Sequence, residues 1–267
     1  MPLAQPHRSP LAYLGWLVIV PIQDMGRQAM FFGQSLMSAF VWPWQFGKIL
    51  AQMHFIGVKS LLVVCLTGAF TGMVLGLQGY HTLSSFGSVG VLGTTVALSL
   101  VRELGPVLTA FMIIARGGSA MAAELASMRI SEQIDALTTM DIHPIRFLVS
   151  PRLVAAALCF PLLTAIFDVI GIMGGYLSGS VLLGLGSGVY FSSVESGVRM
   201  IDVSGGFLKS LVFALVAINT CCFRGFFTHM SSAGFGSKAV ALATTGAVVQ
   251  SCVLVLFADY ILTSFLL

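Results

Sequence analysis

Residues Leu98–Pro144, LSLVRELGPVLTAFMIIARGGSAMAAELASMRISEQIDALTTMDIHP, decide the fold. The first part is an apolar run interrupted by Arg102, Glu103 and Pro106. From Arg116 the run turns polar but keeps a helical apolar rhythm. Ile130, Ile134 and Leu137 fall at i, i+4 and i+7, with Glu132 and Asp135 on the other face. Pro144 is expected to stop that helix. A membrane span that carries charge therefore runs into a short amphipathic helix between spans. Such a pairing suits a transporter subunit that takes mechanical input from a soluble partner.

Composition agrees. The 267 residues are 57% hydrophobic and 9% charged, with a mean hydropathy of +0.97, which describes an all-α polytopic membrane protein. A net charge of +3 with no basic stripe argues against nucleic-acid binding. All five cysteines (Cys65, Cys159, Cys221, Cys222 and Cys252) lie in apolar runs, where they act as small hydrophobes rather than disulfide partners or metal ligands.

Five spans are predicted at about Ser60–Tyr80, Leu92–Ala115, Leu153–Leu177, Gly206–Phe226 and Ala239–Leu266, each long enough to cross roughly 30 Å of hydrocarbon. Ahead of them, Asp24 to about Lys48 mixes aromatics, including Trp42 and Trp44, with Arg27, Lys48 and Pro43; it reads as a helix lying in the bilayer interface. Arg8 before LAYLGWLVIV resembles a signal peptide, but the apolar core is short and QDMGRQ offers no cleavage site. The organisation expected is a cytoplasmic or interfacial region, 1–59, followed by a five-span domain, 60–267, with a coupling segment at 116–147.

Orientation follows from the basic residues. Arg8, Arg27, Lys48 and Lys59 precede the first span; Arg116, Arg129, Arg146 and Arg152 follow the second; Arg224 and Lys238 follow the fourth. The opposite connections hold only Arg199, and Arg102 and Lys209 are within spans. Ten of the thirteen basic residues thus share one side, which predicts a cytoplasmic N-terminus and an external C-terminus.

Arg102, Glu103, Asp168, Lys209 and Asp259 all fall within spans. A charge at mid-membrane costs at least about 2.5–3.5 kcal/mol, so such residues face one another or a wet cavity. Adjacent helical residues point about 100° apart, so Arg102 and Glu103 cannot pair with each other. One is expected to face a cavity and the other a neighbouring helix, with Lys209 the nearest partner by type. Arg102 and Lys209 are the types that hold a phosphate or carboxylate headgroup, and Pro106 should bend the second span beside them. Gly68, Gly72 and Gly76 in the first span, and Gly171, Gly175 and Gly179 in the third, each place a smooth groove on one helix face, which suits close helix packing.

Enzyme motifs are missing: there is no GxSxG, HExxH or paired-cysteine pattern. Gly47-Lys48 resembles the end of a phosphate loop, but Ile49 stands at its Ser/Thr position and Trp42 at its first glycine. No catalytic residue or metal site is assigned. A second reading, a proton-coupled carrier with Glu103, Asp168 and Asp259 as a relay, leaves the amphipathic segment without a purpose.

GMVLGLQGY (Gly72–Tyr80), LVRELGPVLTA (Leu100–Ala110), GSAMAAELASMRISEQIDAL (Gly118–Leu137) and SPR (Ser150–Arg152) resemble the MlaE permease family. Those proteins are membrane subunits of ABC transporters that move phospholipid between the inner and outer membranes of Gram-negative bacteria. The likeness extends from Ser60 to Leu267. It departs at His143, where the family usually has an acidic or amide residue before the proline.

The resemblance implies an inner-membrane homodimer that maintains outer-membrane lipid asymmetry. Its partners would be a cytoplasmic ABC ATPase, a small STAS-domain subunit and a periplasmic hexamer of mammalian-cell-entry (MCE) domains. ATP and Mg would bind the ATPase, and this chain would need no cofactor. Lipid would contact Leu75, Gln78, Leu83, Phe86, Arg102 and Glu103, with Lys209 and Asp259 as charged residues of later spans. The ATPase would grip the segment holding Ile130, Glu132, Ile134, Asp135 and Leu137.

Overall fold

The computed structural model describes residues 10–40, 45–230 and 236–266. Among these, the chain is helical: α1 (Pro10–Phe40), α2 (Phe46–Ser85), α3 (Val89–Ile130), α4 (Gln133–Thr139), α5 (Ile145–Leu182), α6 (Ser187–Gly197), α7 (Met200–Phe226) and α8 (Ser237–Leu266). Helices α2, α3, α5, α7 and α8 are long and apolar enough to cross a membrane; α1 is not among them. In hydrocarbon every backbone N–H and C=O needs an internal partner, which a helix supplies. The predicted five spans are present, and each helix is longer than its apolar stretch suggests; α3 runs for 42 residues, about twice what a bilayer requires.

Helices α2 and α5 pack backbone to backbone. A β-carbon on Gly72 would fall inside the van der Waals envelope of the Gly171 carbonyl oxygen, and one on Gly76 would lie 2.8 Å from the Gly175 oxygen. The two glycine series therefore form one seam, as close packing of small residues requires. Phe160, Phe167, Ile113, Met121, Phe213 and Ile218 fill the core between α3, α5 and α7. Helix α6 docks on the start of α3 through Tyr190, whose fully buried hydroxyl donates to the Ile172 carbonyl at 3.0 Å.

Three sequence expectations need correction. The N-terminal helix, expected from Asp24 to Lys48, runs instead from Pro10 to Phe40; residues 41–44, with Trp42 and Trp44, lie outside the described residues. It is fixed to the bundle by Phe31, whose ring lies 5.7 Å from those of Phe223 and Phe226. Polar bonds add to this, Ser35 to Asn219 and Gln28 to Thr220.

The amphipathic helix after the second span is not continuous. Glu132 takes a left-handed conformation (φ +58°) that ends α3, and Asp141 (φ +59°) follows α4. Ile130 thus belongs to α3, while Ile134 and Leu137 belong to the short α4. Pro144 does not stop a helix but precedes Ile145 at the start of α5, where a missing N–H costs nothing.

The seam makes a prediction. Gly72→Ala must push apart two backbones, so it should destabilise the folded chain by about 1–3 kcal/mol and lower its thermal midpoint in detergent. Gly26→Ala, with no heavy atom within 4 Å of the new methyl, serves as the control and should leave it unchanged or raised.

Candidate functional site

The site begins with the backbone of α3. Residues Leu100–Leu104 form a π-helical turn, and Pro106 follows at the start of the next α-helical turn. Proline has no N–H, so the Arg102 carbonyl four residues earlier lacks its usual donor. Lys209 of α7 supplies one: its Nζ donates to that carbonyl at 3.0 Å.

The same ammonium is 2.7 Å from Glu103 Oε2, donates to Thr263 Oγ1 of α8 at 2.7 Å, and lies 3.2 Å from Asp259 Oδ1. The Asp259 contact is close enough for charge pairing but not aligned as a hydrogen bond. Thr263 donates in turn to Glu103. With a side chain only 3% exposed, Lys209 sits among two carboxylates, a hydroxyl and a freed carbonyl. Three spans meet at this one cation.

Arg102 turns the other way. Its Nε and one terminal nitrogen lie 2.8 and 2.7 Å from Asp202 Oδ1 at the start of α7. Asp202 Oδ2 also accepts the Arg199 N–H at 3.0 Å, so the carboxylate caps the helix that presents it. Unlike Lys209, the Arg102 side chain is 45% exposed and keeps guanidinium donors for a further anion. Arg102 and Glu103 thus diverge, Glu103 to Lys209 and Arg102 to Asp202, both on α7.

Sequence reasoning missed Asp202, which it left in a polar connection. Its spacing of seven from Lys209 puts the two on one face of α7, a signal that was present. Asp168 does not join the cluster; it packs against Gly105 at the α3–α5 contact. Leu75 and Leu83 are half-buried against the core of α2, Gln78 is exposed on the same helix, and Phe86, just past its end, is 77% exposed.

At the far end of α3, Arg129 binds Asp135 of α4 at 2.6 Å and donates through Nε to His229 Nδ1 at 3.0 Å. Burial, and then the Arg129 charge, hold the His229 imidazole below its usual pKa, so it is the neutral ring that accepts this bond. Ile134 is buried, Ile130 and Leu137 are half-buried, and Glu132 is exposed. The charged face of α4 is therefore partly engaged, with Glu132 open. Arg116 ties the same end of α3 to α2 by donating to the Phe55 carbonyl, within the π-turn His54–Val58, and to Ser60.

Among the described residues, five apolar spans with an ion cluster inside the bundle and a short helix between the second and third define an integral membrane protein. The family described as Permease MlaE matches residues 49–265, and this chain belongs to it. A probable ABC transporter permease protein of Rickettsia typhi is 41% identical over 91% of this chain and 92% of its own length. The intermembrane phospholipid transport system permease protein MlaE of Haemophilus influenzae is 38% identical over 95% and 96%. The chloroplastic protein TRIGALACTOSYLDIACYLGLYCEROL 1 of Arabidopsis thaliana is 35% identical over 81% of this chain and 60% of its own.

The two cations should differ in stability. Lys209→Met strands Glu103 and Asp259 without a cation and should cost about 3 kcal/mol, the low end for breaking a buried pair, because Glu103 is 40% exposed. Arg102→Ala removes a half-exposed cation from Asp202, which is 7% exposed but keeps the Arg199 N–H and its helix N-terminus, and should cost less, about 1 kcal/mol. Thermal unfolding of the purified variants checks this, and equal losses would contradict it.

Proposed function

We propose that this chain is the transmembrane subunit of an ABC transporter that moves phospholipid between the inner and outer membranes and maintains outer-membrane lipid asymmetry. It belongs in the bacterial inner membrane, N-terminus cytoplasmic and C-terminus periplasmic, as the basic residues argue. Two copies enclose the lipid cavity. The family, and the phospholipid transport in the name of its Haemophilus relative, support this reading.

The observation that carries it is Arg102: a guanidinium anchored by Asp202 in an apolar span, half-exposed and with donors to spare. A phospholipid presents the matching pair of chemistries, an anionic phosphate and acyl chains. Gln78 is exposed on α2 and Phe86 just past its end, Leu75 and Leu83 are half-buried on the same helix, and Glu103 is held by Lys209.

The chain hydrolyses nothing itself. ATP and Mg bind a separate cytoplasmic ATPase, which docks on the turn at Glu132 and on α4, where Ile130, Ile134 and Leu137 brace the surface and Asp135 is fixed by Arg129. A STAS-domain subunit and a periplasmic MCE hexamer complete the assembly. In the complex purified with its ATPase, Arg102→Ala should reduce co-purifying phospholipid several-fold and weaken lipid-stimulated ATP hydrolysis while the yield of complex holds. Phospholipid at the wild-type level would contradict the assignment.

A further inference from the structure

Helices α3 and α5 cross the membrane side by side in opposite directions, and their contacts form a ladder. A β-carbon on Gly175 would lie 2.8 Å from Val96, and one on Gly171 would lie 2.8 Å from Leu100. On the next rung the Asp168 carboxylate occupies the space that a side chain on Gly105 would take. One turn further, four residues along α3 and four back along α5, the register brings Thr109 opposite Thr164.

The last two rungs are polar and unsatisfied. Asp168 Oδ1, Thr109 Oγ1 and Thr164 Oγ1 are all buried without a hydrogen-bond partner among the described residues, and the two threonines are 0% and 3% exposed. Other helical threonines here, Thr67, Thr95, Thr220 and Thr244, turn back and donate to the carbonyl four residues earlier. Thr109 and Thr164 forgo that bond.

Nor does any nearby cation answer Asp168. Arg102 and Glu103 of α3 are engaged with Asp202 and Lys209 of α7, and Asp259 of α8 shares Lys209. On α1, Asp24 and Arg27 pair with each other. Helix α2 presents glycines to α5, and Tyr190 bonds the Ile172 carbonyl at the Gly175 rung. Asp168 is half-buried, but its Oδ1 lies buried and unpartnered, which is costly for the anion and calls for a positive charge beside it.

We propose that Asp168, Thr109 and Thr164 form a binding site for one small monovalent cation, either a proton held on the carboxyl group or a dehydrated alkali ion coordinated by the three oxygens. Gly105 is needed there because only hydrogen leaves room for the carboxylate. The site closes the α3–α5 seam and is separate from the Lys209 cluster and from the lipid contacts of Arg102.

Thermal unfolding of the full chain in detergent tests this. One series replaces N-methylglucamine by Na⁺ at constant ionic strength and neutral pH; the other varies pH without alkali cation. An alkali-ion site gives a midpoint that rises with Na⁺ by about 3 °C or more at saturation. A proton site gives no Na⁺ effect but a midpoint that falls as pH rises through the titration of Asp168, since an acid kept neutral by folding stabilises only while it is protonated. Asp168→Asn, whose neutral amide needs no cation, removes whichever dependence the wild type shows. Should that variant fail to fold, Thr109→Val and Thr164→Val, which keep shape but remove an oxygen, should each diminish it. A wild type with neither dependence, or variants that retain it in full, overturns the proposal.

Discussion

A buried ammonium has to be surrounded by oxygen, and Lys209 imposes that demand on three membrane spans at once. Glu103 comes from α3, Thr263 and the charge-paired Asp259 from α8, and the third hydrogen-bond acceptor is the Arg102 carbonyl, to which Pro106 has no N–H to donate. The π-turn at Leu100–Leu104 belongs to the same arrangement, because it sets the pitch at which Arg102 and Glu103 leave the helix. Proline, π-turn and lysine are therefore one feature distributed over two helices. Because the partners come from different spans, the cluster fixes how α3, α7 and α8 sit against one another where apolar packing alone is least specific.

From that constraint comes a division of labour between neighbours. Glu103 and Lys209 satisfy each other and hold the bundle; Arg102, 100° round the helix, is held only at one edge by Asp202 and stays half-exposed. Asp202 meanwhile spends its other oxygen on the Arg199 N–H, which fixes the carboxylate before the arginine reaches it. Arg102 therefore keeps guanidinium donors free of Asp202, whereas the Lys209 ammonium is fully engaged. The glycine seam between α2 and α5 complements the cluster: it needs no charge at all, only the absence of side chains.

Much of this was legible in the sequence. Apolar run length gave the spans, and the adjacency of Arg102 and Glu103 demanded partners elsewhere. What escaped has physical reasons. Asp202 lies at a helix start, where polar residues are ordinary, so hydropathy hid it, though its spacing from Lys209 did not. The break at Glu132 was invisible because left-handed backbone is expected of glycine, asparagine or aspartate and the apolar rhythm continues across it. Pro144 is ambiguous in principle, since proline both ends one helix and begins the next. Asp168 looked like a member of the charge cluster by type; only the register of α5 against α3 sets it apart.

That the Glu103–Lys209 pair is the interaction holding the spans together is tested most directly by a double-mutant cycle on unfolding free energy, with Glu103→Gln, Lys209→Met and the two combined. The pair is in contact, so the double variant should lose less than the sum of the singles, with a coupling energy of about 0.5–3 kcal/mol. Losses that add to within about 0.5 kcal/mol would show that the two residues do not depend on each other, and would contradict the account.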